Sequence, residues 1–389
     1  MVNRIINSLL DTDIYNLYIQ QLVFHQFKGT LVKYKFKCRN KVIGNEINLD
    51  TFIVNVINEV DHFCGLQFLP DEIQYLRNQG VFQEDYLDFL KSFSPNRDHI
   101  SIKRDGKDLS IVIECPWEAE LFETPVLAII SELYSNEKGK LTNLIDIFND
   151  KLDYLKNNAS QGFQFTDFGT RRRFSFQAQK GILLYLNAFE PKVLLGTSNA
   201  FLAKELHIPA IGTQGHKYYQ AHQQLVENLE TFQQEALWNW LKEYNGKLGI
   251  ALSDTVGFDA FLQDFTPALA ELYDGCRHDS GDPYTWGHKL IDYYTRHTID
   301  PITKTAVFSD GLTIEKAIEL YDYFNSMIKV AFGIGTSLTN DAGFEPLQIV
   351  IKMVECNGKP VAKISDSKGK GMCEDKTFLN ILKKKFNIS

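Results

Sequence analysis

Six times in the second half of the chain a short apolar run ends at a cluster of small or charged residues. Val193-Leu194-Leu195 runs into Gly196-Thr197-Ser198, and Ile208-Pro209-Ala210-Ile211 into Gly212-Thr213-Gln214-Gly215-His216. Leu248 to Leu252 meets Ser253-Asp254-Thr255, and Cys276-Arg277-His278 meets Asp279-Ser280-Gly281-Asp282. Ala306-Val307-Phe308 stops at Ser309-Asp310-Gly311, and Val330-Ala331-Phe332 at Gly333-Ile334-Gly335-Thr336. Helical stretches lie between these runs; the longest is read from Tyr218 to Leu241, with Trp238 and Trp240 expected to pack. Buried strands alternating with helices predict a parallel sheet or barrel whose strand ends open onto one rim.

The first ~130 residues follow another pattern, that of an antiparallel sheet with helices. Asp11 to Phe27 has helical spacing, with Asp11 or Thr12 placed to cap its start. Leu31 to Arg39 alternates: Val32, Tyr34, Phe36 and Cys38 on one face, Lys33, Lys35, Lys37 and Arg39 on the other. Ile100 to Ile102 and Leu109 to Ile113 flank Asp105-Gly106, a hairpin signal. Gln348 to Glu355 and Lys359 to Ile364 flank Asn357-Gly358, a second hairpin expected to rejoin the first sheet, and Ser365 to Asp375 reads as a polar loop. The expected division is an α+β domain from residues 1–135 plus 346–389, and an α/β barrel-like domain from 136–345.

Composition narrows the class. A chain of 389 residues is long for one core. Its net charge of −8 argues against nonspecific nucleic-acid binding. Six cysteines without a CxxC pair suggest neither a disulfide framework nor a zinc site. The first residues are too poor in apolar side chains for a secretory signal, and no run approaches the ~18 apolar residues of a membrane span. A soluble, cytoplasmic protein without membrane or nucleic-acid partners is expected.

Rims carrying Gly, Ser, Thr, Asp, Arg and His suit a phosphorylated, anionic small molecule. His216 follows a glycine-containing turn and precedes a helix, where amides can meet a phosphate and a neutral imidazole can take a phosphoryl group. Asp282-Pro283 reads as a helix start, but Arg277 and Asp279 beside His278 point to ligand contact. Magnesium takes one or two carboxylates plus substrate oxygens, so Asp254 and Asp279 are metal candidates, directly or through water. Gly333-Ile334-Gly335-Thr336 reads either as a tight turn or as a phosphate nest. Phe168 stands three residues before Arg171, so a ring to stack on and a guanidinium together would recognise a flat aromatic acid.

Five ordered motifs resemble nicotinate phosphoribosyltransferases: Thr12-Asp13-Ile14-Tyr15, Asp167-Phe168-Gly169-Thr170-Arg171-Arg172, Gly212-Thr213-Gln214-Gly215-His216, Arg277-His278-Asp279-Ser280-Gly281-Asp282 and Gly333-Ile334-Gly335-Thr336. The resemblance covers about residue 8 to the end, including Ile349 to Lys363. It implies a type II phosphoribosyltransferase fold, an irregular α/β barrel beside an α+β domain built from both chain ends, and a homodimer with shared active sites. It also implies that nicotinate and 5-phosphoribosyl 1-diphosphate become nicotinate mononucleotide and diphosphate in NAD salvage, with magnesium present and ATP hydrolysed through a phosphohistidine.

By the same resemblance His216 is the phosphorylated residue, and Tyr15 and Phe168 sandwich the pyridine ring. Arg171, Thr213 and Arg277 contact substrate; Asp254 and Asp279 support the ribose–diphosphate end; Asp310, Gly311, Gly333, Gly335 and Thr336 serve the phosphates. Gly215 stands where many relatives carry alanine. The nearest alternative is a nicotinamide phosphoribosyltransferase, which the resemblance separates by an aspartate after Gly-Thr. Here Ser198 follows Gly196-Thr197, and its hydroxyl could donate to a carboxylate. A quinolinate enzyme would need a second carboxylate clamp, and a non-catalytic barrel sensing a sugar phosphate would not need His216, Arg277 and Asp279 together.

Overall fold

The computed structural model describes residues 4–367 and 371–388. Its strands are β1 (Leu31–Cys38), β2 (Ile100–Asp105), β3 (Asp108–Pro116), β4 (Phe165–Asp167), β5 (Leu194–Thr197), β6 (Ile250–Leu252), β7 (Gly275–His278), β8 (Thr305–Phe308), β9 (Lys329–Ile334), β10 (Ile349–Cys356) and β11 (Lys359–Pro360). They form two sheets. One has the order β11-β10-β1-β3-β2 with every pairing antiparallel; the other runs β5-β4-β9-β8-β7-β6 with every pairing parallel.

The antiparallel sheet joins the two ends of the chain. β1 lies between β3 and β10, with Val32 opposite Cys356 and Cys38 opposite Ile349. Val32 and Tyr34 are buried, while the lysine row lies on the wetter face, where Lys33 meets Glu114 at 2.6 Å and Lys35 meets Glu374 at 2.6 Å. Both hairpins form where Asp105-Gly106 and Asn357-Gly358 stand. Asn357 and Gly358 both have positive φ (50° and 70°), the requirement of a type I′ turn. Past β11 the chain is no longer a strand, so the second hairpin is shorter than its pattern suggests. Lys368, Gly369 and Lys370, inside the polar loop read from Ser365 to Asp375, lie outside the described residues.

In the parallel sheet five of the six apolar runs are strands. The exception is Ile208–Ile211, which makes a single bridge between Ala210 and Thr197. Pro209 has no N–H to give a ladder, and its carbonyl accepts from Thr197 N at 3.1 Å. The seam between β5 and β6 is spanned instead by Gln214, whose side-chain oxygen accepts from Leu252 N at 3.1 Å. β4, not predicted as a strand, fills the place between β5 and β9. Its three residues are all buried, so they show no alternation.

Two further expectations change. The stretch Tyr218 to Leu241 is two helices, His216–Leu225 and Phe232–Tyr244; Val226 turns extended between them, and Asn228 caps a short turn at Leu229–Thr231. Trp240 packs edge-on against Tyr218 with centroids 5.3 Å apart, but Trp238 is exposed. The first helix spans Tyr15–Gln26, and neither Asp11 nor Thr12 caps it. Those residues run alongside 198–201 instead: Ile14 N donates to Ser198 O (2.7 Å), Ala200 N to Thr12 O (3.0 Å) and Phe201 N to Leu10 O (2.8 Å). Tertiary pairing has overridden the local capping signal. Among the described residues no helix is long and apolar enough to cross a membrane.

Candidate functional site

His216 opens its helix behind an extended Gly215. A Cβ on Gly215 would lie 2.8 Å from a ring carbon of Tyr15, so glycine lets that ring rest against the backbone beside the histidine. His216 Nε2 lies 2.7 Å from Asp254 Oδ1 at the end of β6, and 3.6 Å from Asp279 Oδ2 after β7. Asp254 Oδ2 accepts from Ser280 Oγ at 2.6 Å and meets Lys363 Nζ at 2.9 Å. Lys363 arrives from the C-terminal segment, which is stitched to β6 by Ile364 N donating to Thr255 O (2.8 Å). All of His216, Asp254 and Lys363 are buried.

The electrostatics follow from that packing. Burial, reinforced by the neighbouring Lys363 charge, pushes the His216 imidazole down to about 4, against the pull of Asp254. Burial opposes charge on Asp254 too, but Lys363 and His216 outweigh it and hold the carboxyl well below its ordinary range. An ionised carboxylate only accepts. His216 therefore carries its proton on Nε2 and leaves the Nδ1 lone pair for chemistry.

Two adjoining cavities meet here. The larger, about 520 Å³, has Phe168, Ser309, Asp310, Gly311, Gly335 and Thr336 on its wall, with the cations Arg39, Arg172 and Lys363. The smaller, about 60 Å³, is lined by Tyr15, Glu123, Gly215, His216 and Lys217 among others. Arg171, Arg277, Asp279 and Lys352 line both. Tyr15 and Phe168 thus stand in neighbouring cavities joined at Arg171.

The three consecutive arginines have three fates. Arg171 Nε pairs with Asp13 Oδ2 at 3.2 Å, and its side chain stays 39% exposed toward the cavities. Arg172 Nε donates to Ile349 O at 3.1 Å and lines the larger cavity. Arg173 is fully buried against Asp11 at 2.7 Å, a structural pair. Arg277 Nη1 donates to Thr213 Oγ1 at 2.9 Å, so Thr213 orients an arginine and is not part of either cavity wall.

Three expected site residues have other work. Ser198 lines neither cavity; buried, it donates to Asp13 Oδ1 at 2.7 Å, so its hydrogen is not directed at a ligand. Gly333 is the floor under Phe168, because any Cβ there would run into that ring. Asp254 is not free as a metal ligand: one oxygen faces His216 and the other Ser280 and Lys363. Ligand atoms of His216, Asp254 and Asp279 do lie within 4.8 Å of one another. An ammonium already occupies the cation's place beside Asp254, and magnesium prefers oxygen donors to imidazole. Asp279, 29% exposed and facing both cavities, fits a hydrated magnesium; Asp254 does not.

Other residues on or behind the cavity walls were not singled out from the sequence. Lys352 sits in β10 among buried aliphatic residues, and burial, with Lys363 nearby, pushes its ammonium down to about 7. A lone lysine inside the apolar run Ile349 to Val354 was the available signal. Arg39 ends the alternating strand read as having a solvated basic face, and nothing local distinguishes it from Lys37. Asp13 and Lys363 fall within segments that carry the resemblance but were given no role, since each matters through partners more than a hundred residues away.

A parallel sheet that gathers a buried His–Asp pair and a cation-lined cavity at its strand ends defines an α/β enzyme acting on an anionic, phosphate-bearing substrate. The chain matches the model of the nicotinate phosphoribosyltransferase (NAPRTase) family over residues 163–389 and that of the NAPRTase N-terminal domain over 10–131, and it belongs to this family. It is 45% identical to the nicotinate phosphoribosyltransferase of Chromobacterium violaceum, covering 99% of this chain and 98% of that one. It is 46% identical to the Acinetobacter baylyi enzyme of the same name, covering 100% and 98%. The crystal structure of nicotinate phosphoribosyltransferase from Vibrio cholerae superposes with a TM-score of 0.94 at 39% identity, covering 100% of this chain and 95% of that one.

Proposed function

We propose that the chain transfers the phosphoribosyl group of 5-phosphoribosyl 1-diphosphate to the ring nitrogen of nicotinate in NAD salvage, releasing diphosphate, with ATP hydrolysed through His216. The observation that carries this reading is the junction of the cavities. Arg171 and Arg277 stand between an aromatic wall at Tyr15 and a cation-rich wall at Arg39, Arg172 and Lys363. A flat aromatic carboxylate suits the first wall and a diphosphate the second.

The leaving diphosphate takes the electron pair of the C1–O bond while positive charge builds on the ribose, and the pyridine nitrogen forms the new bond to C1. Arginines and lysines on the larger cavity wall stabilise the departing charge, and Arg171 with Tyr15 and Phe168 holds the nucleophile in line. Magnesium, bound with the diphosphate and reached by Asp279, would neutralise part of that charge.

ATP adds no atom to the product. The Nδ1 lone pair of His216 attacks the terminal phosphorus, the bond to the bridging oxygen breaks, and ADP leaves with that electron pair. Asp254 stabilises the cationic ring through Nε2–H. Water later displaces phosphate and returns the lone pair to Nδ1. The charge placed on His216 biases the site between substrate-binding states.

The chain is divided, in this reading, into domains at 1–135 plus 346–389 and 136–345, a division supported by the two sheets. Two copies assemble as a homodimer, as the family resemblance implies. Six free thiols suit a reducing cytoplasm. The test is radiolabelled nicotinate with 5-phosphoribosyl 1-diphosphate, with and without ATP, and nicotinamide in parallel. Nicotinate mononucleotide formed in preference to the amide product, with acid-labile, base-stable phosphate on the protein, is the expected result. Absence of nicotinate mononucleotide overturns it.

A further inference from the structure

Asp13 binds three side chains from three separate parts of the chain. Its Oδ1 accepts from Ser198 Oγ at 2.7 Å. Its Oδ2 accepts from Thr124 Oγ1 at 3.1 Å and pairs with Arg171 Nε at 3.2 Å. Asp13 is 2% exposed, and Ser198 and Thr124 are buried as well. None of the three lines either cavity, whereas Arg171 lines both. The backbone holds the arrangement, since Asp13 bridges Asn199 and Ile14 N donates to Ser198 O.

We infer that Asp13 is a positioning residue for Arg171, and that Ser198 influences the choice between a carboxylate and an amide substrate through Asp13 and not by touching the substrate. This rests on the reading above, in which Arg171 receives the carboxylate of nicotinate. Arg171 stands on a three-residue helical turn, Thr170–Arg172, with a long side chain 39% exposed. Such a chain has many rotamers, and ordering it has an entropic cost that substrate binding would otherwise bear. A carboxylate fixed on Nε selects one rotamer and leaves the terminal amino edges of the guanidinium toward the cavity. Asp13 can do this only because Ser198 and Thr124 fix it in turn.

Glu123 acts on the same guanidinium from the other side, with Oε1 3.9 Å from Nη1. Its second oxygen is 3.3 Å from Lys217 Nζ, so its charge is partly spent elsewhere. Among the described residues Asp13 forms an ion pair with no cation besides Arg171. The arginine is therefore aimed chiefly by Asp13.

The test uses Ser198→Ala and Thr124→Val, two small changes on opposite oxygens of Asp13 and outside the cavity walls. Losing one hydrogen bond to a charged group corresponds to roughly tenfold, so each variant should raise KM for nicotinate about three- to tenfold. KM for 5-phosphoribosyl 1-diphosphate and kcat should stay within about twofold, and turnover of nicotinamide, which lacks the carboxylate, should not fall. In an Asp13→Asn background the further change Ser198→Ala should have no effect on nicotinate KM. The inference is overturned if Ser198→Ala acts while Thr124→Val does not, if the two changes are additive with Asp13→Asn, or if both substrates weaken equally. Wild-type enzyme inactive on nicotinate would sink the functional reading itself, a result distinct from any of these.

Discussion

Lys363 and His216 share one carboxylate: the ammonium lies 2.9 Å from Asp254 Oδ2 and the imidazole 2.7 Å from Oδ1. The lysine keeps Asp254 ionised and, by its own charge, disfavours a second positive charge on the ring. A nucleophilic histidine needs both effects, since only the neutral ring has a lone pair to offer.

Replacing Lys363 with methionine should therefore raise the His216 pKa from about 4 toward the ordinary value. At a higher pKa the ring is protonated over more of the acidic range. Because burial still lowers the ring's pKa, phosphoenzyme formation should fall off at a pH above the wild-type limit near 4 but short of the ordinary imidazole value. Rapid-quench labelling with ATP between pH 5 and 9 reads this directly, and an unshifted profile would separate Lys363 from the histidine's chemistry.

His216→Asn should abolish phosphoenzyme and ATP hydrolysis while leaving residual ATP-independent synthesis. The competing histidine His222 has Nδ1 near Tyr218 O at 2.8 Å and Nε2 near Asn239 Nδ2 at 3.2 Å, and is fully buried. Peptide mapping that placed phosphate on His222 or His207 would refute the assignment.

Lys352 supplies a pH dependence for the diphosphate end. Its folded-state pKa is lowered from 10.5 to about 7, so the ammonium is present below pH 7 and lost as pH rises through it. An anionic ligand that needs the charge must then take up a proton. Its binding should weaken with rising pH by up to about tenfold per unit above 7, until the higher pKa of the complex is reached. Titration calorimetry with 5-phosphoribosyl 1-diphosphate in buffers of different ionisation heat should register that uptake, and Lys352→Met should remove it.

The aromatic walls give a smaller effect. Tyr15→Ala or Phe168→Ala removes stacking worth about 0.5–1.5 kcal/mol beyond burial, or roughly three- to tenfold in nicotinate affinity. Gly215→Ala should act in the same direction, because its methyl would stand 2.8 Å from a Tyr15 ring carbon and force the ring to move. Competition binding against both substrates decides the matter: equal weakening of both would make these rings structural.

Much of the site was legible because strand ends converge. A run such as Leu248 to Leu252 stopping at Ser253-Asp254 announces both a buried strand and a polar rim, and β6, β7, β8 and β9 follow that grammar. β4 did not, because three fully buried residues have no period to detect. Ser198 was misread for a different reason. Its place after Gly196-Thr197 was visible, but its hydroxyl's partner, Asp13, is 185 positions away. Charge pairs such as Lys363 with Asp254 are likewise products of tertiary closure, and no local spacing encodes them.

The pairing of β1 with β10 also dictates an order of assembly. Val32 has no ladder partner on that side until Cys356 has been synthesised, more than three hundred residues later. During synthesis β1 therefore waits with one edge open, a template for wrong pairing. Contacts of such long sequence separation close slowly. Lys352 and Lys363 arrive with that same closing segment, so no chain cut short before residue 349 holds a complete site. Closing the open edge of β1 and completing the cation-lined wall thus depend on the same event, the pairing of β10.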